Sequence, residues 1–552
     1  MKYFKKILFK FKQKSKTRQF RRYVRVLTRL ILIAILVWLF LFVFYAFLVE
    51  FEKFLRKQIK SLFSDSEIKI PETFSIDRND VDFKDPKYID RKSLEFFERI
   101  QRITYEVNCQ SLIEWDEFEV RKAKRILFKL KNLNNEHLTK INDVQKLGLI
   151  PTLPNENYVF DKSMCKLFRE LRGYDSYKIT SFEKTFPIAF TILTYDNVEQ
   201  FERLLRAIYR PQNVYCIHID SKSPPLFHEA VKSIVQCFNN VFVSTKLERV
   251  VYAGFSRLKA DINCMHDLIS PNYEHAYLRE KNITSDWKYL LNMASSEFPL
   301  RTNYELARIL QMFNGANDIE VITNMPMVRI QYSWKPKRKP NTTYEYMVRT
   351  KRLKAPIPHN YTIVKGLAYC SFSRKFIEYV LSNTYARNLL KWSEDTYSPD
   401  EWYWATLNYN TQFNPPGGFK DPKRTAIPTK ARYIGWKNSY KCMGELRHNL
   451  CVFSIEDLPE LVTRNEFFLN KFLLQYDPIS YQCMEEWLNS KISLYQTVNI
   501  INYCRLLFVV PYSINPTCAR LLDKQVQALR SKTTSKKPNL TTTKFKAKKD
   551  KI

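Results

Sequence analysis

Residues 30–49 read LILIAILVWLFLFVFYAFLV, twenty positions without a charge, and they follow a leader with twelve Lys or Arg and no acid between Met1 and Arg29. A bilayer core of ~30 Å is crossed by about 20 apolar residues in a helix, so this run is long enough to span. A cleaved signal peptide would have a shorter apolar region and a small-x-small exit, which is missing here. Basic flanks stay on the cytosolic side. The expected topology is therefore type II, with residues 1–29 cytosolic, a signal-anchor at 30–49 and everything from Glu50 onward lumenal.

The cysteines agree with an oxidising compartment. There are eleven, and no C-x-x-C pair or Cys/His cluster points to zinc, so disulfides are the simpler reading. The odd number leaves at least one thiol free or intermolecular. N-x-S/T sequons stand at Asn282, Asn341, Asn360 and Asn539, glycan acceptors in this topology. A net charge of +33 would ordinarily raise the question of nucleic acid. Here the leader supplies +12 and the tail from Arg530 to Ile552 supplies +8, which leaves +13 for the rest. The leader suits anionic lipid headgroups, and a lumenal body meets no DNA or RNA.

Downstream of the span, residues 50–104 alternate acids and bases and read as a stem. Residues 105–505 are rich in aromatic and apolar runs and form the globular body. Residues 506–552 end in a basic, low-complexity tail for which disorder is expected.

Within the body, PIAFTILTY (187–195) reads as a buried strand, NVEQFERLLRAIY (197–209) as a helix and NVYCIHID (213–220) as a second strand. FHEAVKSIVQCF (227–238) is helical and NVFVST (240–245) is a third strand. Strands alternating with helices predict an α/β fold on a parallel sheet with right-handed crossovers. Ligands of such sheets bind beyond the strands' C-terminal ends, which places Leu193 and Asp220 where a nucleotide would lie. The whole chain has nine glycines and no Gly-rich loop, against a dinucleotide fingerprint or P-loop.

The stretch 392–406, WSEDTYSPDEWYWAT, sets Asp400 and Glu401 behind a Ser-Pro turn. A carboxylate at the edge of a structured element can act as a general base on a hydroxyl. The same letters also read as a plain helix start, with Ser398 as N-cap and acids in the first turn.

Taken in order, PIAFTILTYDNVEQFERLLRAIYRPQNVYCIHIDSKS, NNVFVSTKLERVVYAGFSRLKADINCMHDL, WKYLLNMASSEFPLRTN and WSEDTYSPDEWYWATL closely resemble the core-2/I-branching β-1,6-N-acetylglucosaminyltransferases, from about Cys109 to Cys483. The resemblance implies a GT-A type glycosyltransferase fold without the usual metal, in a Golgi membrane enzyme that moves GlcNAc from UDP-GlcNAc to O6 of an O-glycan acceptor sugar. The one D-x-D, Asp80-Val81-Asp82, lies in the stem, and the second strand ends Asp220-Ser221-Lys222. Basic side chains must then meet the diphosphate. The family's Lys matches Lys471. Its Arg position falls on His448, with Arg447 one residue earlier, and bidentate phosphate recognition favours Arg447.

By the same resemblance Glu401 is the catalytic base, with Asp400 its orienting or structural neighbour. Leu193, Asp220 and Tyr252 hold the uridine and ribose, and Glu320, Arg329 and Trp436 contact the acceptor. Asn438 stands where the family has an aromatic, and the 321–335 segment is two residues longer. The implied disulfides are Cys109–Cys483, Cys165–Cys237, Cys216–Cys264 and Cys442–Cys451; Cys370, Cys504 and Cys518 are left unassigned. Two other readings stay open at this point: the same fold with another donor and acceptor, such as xylose to protein serine, and a non-catalytic lumenal glycan-binding or scaffold protein. Oligomeric state is also open, a homo-oligomer included.

Overall fold

In a computed structural model the chain is described at residues 91–138, 150, 152–177, 179–271, 281, 286–342, 344–418 and 426–494. The apolar run 30–49, Asp80-Val81-Asp82, Asn282, Cys504, Cys518, Asn539 and the basic tail lie outside these residues. Among the described residues no helix is long and apolar enough to cross a membrane.

The strands fall in chain order as β1 (Ile188–Thr194), β2 (Val214–Ile219), β3 (Val241–Val243), β4 (Tyr289–Ala294), β5 (Glu297–Pro299), β6 (Val321–Ile322), β7 (Tyr332–Arg338), β8 (Glu345–Leu353), β9 (Ser371–Ser373), β10 (Ala426–Ile427), β11 (Arg432–Ile434), β12 (Glu445–Arg447), β13 (Leu450–Val452) and β14 (Phe468–Asn470). The central sheet has the order β3-β2-β1-β4-β9; the first four are parallel and β9 runs antiparallel at the edge. Every residue of β1 and β2 is buried, which is why both read as unbroken apolar runs rather than as alternation.

The predicted crossovers form. Asn197 caps the helix Val198–Ile208 by accepting from the Gln200 amide at 2.8 Å. The next helix, Pro225–Val235, begins two residues before the predicted 227 because Pro225 sits at its first turn, where a missing N–H costs nothing. β3 stops at Val243, short of the predicted 245. Ser244 and Thr245 turn aside to bond Asp267, the hydroxyl of Ser244 at 2.9 Å and the amide of Thr245 at 2.8 Å.

The stem boundary is corrected. Residues 91–100 form a helix whose Phe96 and Ile100 are buried in the main core, with the Phe96 ring 5.0 Å from that of Phe160. The folded body therefore takes in residues assigned to the 50–104 stem. Those two apolar positions are four apart, a helix-face spacing hidden among the charged residues around them.

A second core lies beside the small sheet β11-β14-β5 and collects residues from both ends of the body. The helix Cys109–Ile113 is tied to the helix Pro478–Leu494 by Cys109–Cys483 across 374 positions of sequence. The cysteines pair as Cys165–Cys237, Cys216–Cys264 and Cys442–Cys451 besides, the set the resemblance implies, and Cys370 is a free, buried thiol.

Between the two cores runs Val198–Ile208, with Glu199, Glu202, Arg203 and Arg206 all buried. Its arginines converge on Glu485, Arg203 at 2.6 Å and Arg206 at 2.7 Å. Against the upward push of burial, Arg203, Arg206 and Arg102 hold the Glu485 carboxyl down at about 2.

A second buried pair, Glu297 on β5 with Arg432 on β11, is wholly shielded from solvent at 2.8 Å. Removing one partner of such a pair strands the other charge and costs roughly 3–5 kcal/mol. Arg432→Met is therefore expected to lower the urea midpoint of the chain sharply, and adding Glu297→Gln to recover part of the loss. A single variant that unfolds with the parent would rule out this role for the pair.

Candidate active site

Glu401 is placed by strain on one side and aromatic burial on the other. Ser398 adopts a left-handed backbone (φ 45°), Pro399–Glu401 form one tight turn, and Trp402, Tyr403 and Trp404 plunge into the core at the start of the helix Tyr403–Tyr409. Ser398 does not cap with its side chain, which corrects the helix-start reading: its positive φ turns it away from the amides ahead, and its own amide bonds the Ala253 carbonyl at 2.8 Å. The Glu401 side chain is one third exposed, and Arg329 Nη1 donates to its Oε2 at 2.6 Å. Lys365 Nζ stands 3.8 Å from the same oxygen. Among the described residues no group donates to Oε1, which is left for a ligand.

Gly366 explains how these groups meet. Its amide donates to the Glu401 carbonyl at 2.7 Å, and Lys365 pairs with Ile322 in a short antiparallel bridge. A Cβ on Gly366 would fall 2.3 Å from the Glu320 carbonyl oxygen, so only glycine lets the three segments close up. Glu320 is thereby brought beside Glu401. Burial raises its carboxyl, with Asp318 and Glu401 adding to the push and Lys365 opposing it.

Arg329 reaches the cluster from the segment 321–335 despite its extra length, its guanidinium 5.5 Å over the Tyr397 ring. Trp436 is half exposed and pairs with Leu450 by a backbone bridge; among the described contacts none joins it to Glu401. Asp400 points the other way, into the core. Burial raises its carboxyl to about 7, with Glu401 and Asp261 adding and Arg257 opposing, and its Oδ1 has no hydrogen-bond partner.

The second half of the site lies at the sheet's C-terminal edge. Leu193, the last residue but one of β1, lies between His218 and Ala294. Asp220, just past β2, accepts from the Val250 amide at 3.2 Å and from Lys222 Nζ at 2.7 Å, fixing the loop that leads to Tyr252. Tyr252 is largely exposed, its ring 5.0 Å from that of His448. His448 (φ 51°) and Asn449 (φ 64°) are the two turn residues of the β12–β13 hairpin, both left-handed, which separates His448 from Arg447. Arg447 lies on Glu445 at 3.1 Å. Burial lowers the Lys471 ammonium, and Arg447 lowers it further while Asp196 and Glu297 oppose, so Arg447 and Lys471 share one neighbourhood.

The hairpin thus divides the two candidates at the family's Arg position: Arg447 goes with Lys471, and His448 with Tyr252. Asn341 and Asn360 are exposed. Among the described residues no three His, Cys, Asp or Glu side chains converge as a metal site. Sequence reasoning missed Lys365, Gly366 and Asp196. Asp196 was within reach, since T-Y-D-N directly follows a buried strand where ligands gather; burial raises it to about 6, with Lys471 opposing. Lys365 carried no such signal, because its bridge to Ile322 joins segments 43 positions apart in sequence.

Comparison with known proteins agrees with the geometry. The family described as Core-2/I-Branching enzyme matches residues 188–462. A zebrafish (Danio rerio) protein named beta-1,3-galactosyl-O-glycosyl-glycoprotein beta-1,6-N-acetylglucosaminyltransferase 4 is 37% identical over 393 residues, 70% of this chain and 84% of its own. The rat (Rattus norvegicus) protein of that name numbered 3 is 34% identical over 402 residues, covering 70% and 83%. A bovine herpesvirus 4 protein of the same activity name is 36% identical over 358 residues, covering 62% and 76%. With two thirds of the chain matched at this level, the chain belongs to the core-2/I-branching enzyme family.

Proposed function

We propose that the chain is an inverting β-1,6-N-acetylglucosaminyltransferase of GT-A type, moving GlcNAc from UDP-GlcNAc to O6 of an O-glycan acceptor sugar. The names of its relatives support the reaction class, and the free Oε1 of Glu401 beside Glu320 carries the assignment of the reacting centre. The sequence supports a single-pass type II protein with its catalytic body in the Golgi lumen.

In this reading the acceptor hydroxyl lies on Glu401 Oε1. As O6 attacks the anomeric carbon, its proton passes to Oε1, the new C1–O6 bond forms, and the bond from C1 to the diphosphate oxygen breaks with its electron pair leaving on UDP. Attack from the face opposite UDP turns an α-linked donor into a β-linked product. Arg329 and Lys365 hold the other oxygen of Glu401, so the carboxylate is oriented before the acceptor arrives. Glu320 and Arg329 are the hydrogen-bonding acceptor contacts, and Trp436 offers an aromatic face to a sugar's C–H face. Asp400, buried behind Glu401, supports the turn.

On the donor side Leu193, Asp220 and Tyr252 frame the nucleoside, with His448 backing the Tyr252 ring. Arg447 and Lys471 meet the diphosphate, replacing a divalent cation with fixed charges in a partly buried cleft. No metal is assigned a step.

Glu401→Gln is expected to leave the melting temperature unchanged and to cut turnover by at least ~100-fold, the usual span for a lost general base. Near-normal turnover by the variant would remove Glu401 from the mechanism. Transfer is expected to persist in EDTA, and a strict Mn²⁺ requirement would overturn the reading of Arg447 and Lys471. The lowered Lys471 also has a sign that can be checked. Its proton leaves at a lower pH than an ordinary lysine's, so KM for UDP-GlcNAc should rise as pH climbs toward the usual lysine range. Lys471→Arg should move that rise to higher pH, and an unmoved profile would place the titration elsewhere.

A further inference from the structure

The hairpin of β7 and β8 concentrates charge that the reaction does not use. Between Tyr332 and Lys354 stand eight Lys or Arg and one acid, Glu345, a net +7 out of the +13 that remains once leader and tail are set aside. These charges divide by position. At the base, Arg352 and Lys354 both bind Asp395, which lies six residues before Glu401, and the Trp334 ring sits 4.6 Å from that of Tyr397. Farther back on β8, Tyr346 bridges Tyr252, so the hairpin is fixed to the rim of both halves of the site. Toward its far end Arg338 shares Glu345 with Arg249. Lys335, Lys337, Lys339 and Lys351 are exposed, and among the described residues no acid lies within ion-pair distance of them.

A solvated, protected edge accounts for part of this. Lys335, Pro336 and Lys337 on the outer strand are what keeps an edge from pairing with another sheet. That purpose does not need Lys339 or Lys351, and it does not put exposed Tyr344 and Leu353 among the charges. The register sets Lys335 beside Val348 and Lys337 beside Tyr346, so one face carries ammonium groups next to apolar neighbours, while Lys351 alternates with Arg352 onto the other face. β7 begins three residues after Arg329, which touches Glu401. A molecule whose reacting sugar lies on Glu401 therefore has its remainder beside this face.

We propose that the β7–β8 hairpin is a docking surface for acidic acceptor glycoproteins, on which Lys335, Lys337 and Lys339 engage Asp and Glu side chains flanking the glycosylated residue. The proposal rests on the transferase reading for its acceptor. Lysine ammonium groups are compact point charges without a fixed fork, suited to carboxylates at variable spacing on an extended chain. Contacts of this kind raise the encounter rate and weaken with salt.

The test uses the full chain in detergent and a variant with these three lysines changed to Gln. Three acceptors carry the same galactosyl-GalNAc unit: a free disaccharide glycoside, a glycopeptide flanked by Asp and Glu, and one flanked by Asn and Gln. Expected is a KM about tenfold lower for the acidic glycopeptide than for the neutral one, an advantage lost in the variant and at high salt, with the disaccharide unaffected. Equal KM values for the two glycopeptides, or a preference the variant retains, would overturn the proposal. So would a preference seen only when a neutral peptide carries a neighbouring sialylated glycan, since the carboxylate would then come from sugar. Fluorescence anisotropy of the labelled acidic glycopeptide separates the two readings. Lysine-dependent binding without transfer to any acceptor would uphold the docking surface while the transferase reading failed, and neither binding nor transfer would overturn the docking surface as well.

Discussion

The Glu297–Arg432 pair is the joint on which the two halves of the molecule turn. Glu297 lies just past β4 of the central sheet, and Arg432 and Asn470 come from the neighbouring strands of the small sheet. Arg432 also donates to the Asn292 carbonyl on β4 at 2.6 Å, and Asn470 donates to Glu297 at 3.0 Å. Burial pushes the Glu297 carboxyl up even with Arg432 and Asn470 against it, a measure of how dry the joint is. Charges in such a place contribute little net stability compared with apolar packing. Their effect is geometric: only one relative placement of the two sheets satisfies every donor. Lys471, the residue after Asn470, takes its position from that placement.

The Glu401 carboxylate depends on a different kind of constraint, close approach rather than charge. Gly366 lets the chain at Glu320 and the turn at Glu401 come within bonding reach of a single strand residue. The three buried aromatics after Glu401 then fix the turn from behind. Two carboxylates side by side would repel, and Lys365 and Arg329 supply the positive charge that makes the arrangement tolerable. A carboxylate held this way keeps one oxygen engaged by Arg329 and Lys365, which a loop glutamate in open water would not.

What could be read from the sequence follows from locality. β1, the capped helix after it and β2 were legible because their apolar spacing is set within a dozen residues, whereas Glu401 took its role only from resemblance, since its own turn reads equally as a helix start. The gathering of Arg447 with Lys471 was legible only through resemblance, since no local pattern relates a hairpin arginine to a lysine at the end of another strand. The separation of Arg447 from His448 could not be read from letters, because it depends on two left-handed residues at the hairpin tip, His448 and Asn449. Lys365 and the helix Arg91–Ile100 were missed for the same reason: their partners are distant in the chain, and only tertiary contact gives them meaning.

Positive charge does three separate jobs in this body, and the dielectric around each decides which. Arg203 and Arg206 are dry and permanently matched to Glu485, so they act as structure and are indifferent to salt. Lys471 is partly buried with Arg447 close by, a repulsion that goes unrelieved within the protein except through Asp196 and Glu297. Burial and that neighbouring charge both favour the neutral form of its ammonium. The lysines of the β7–β8 hairpin stand in water, where each interaction is weak and screened within about 8 Å at physiological salt. Weak, numerous and solvent-facing charges cannot position a reacting atom, yet they can hold a long flexible molecule near one. Rigid charges and diffuse ones thus sit in different settings of one fold: the first are buried and matched, and the second face water.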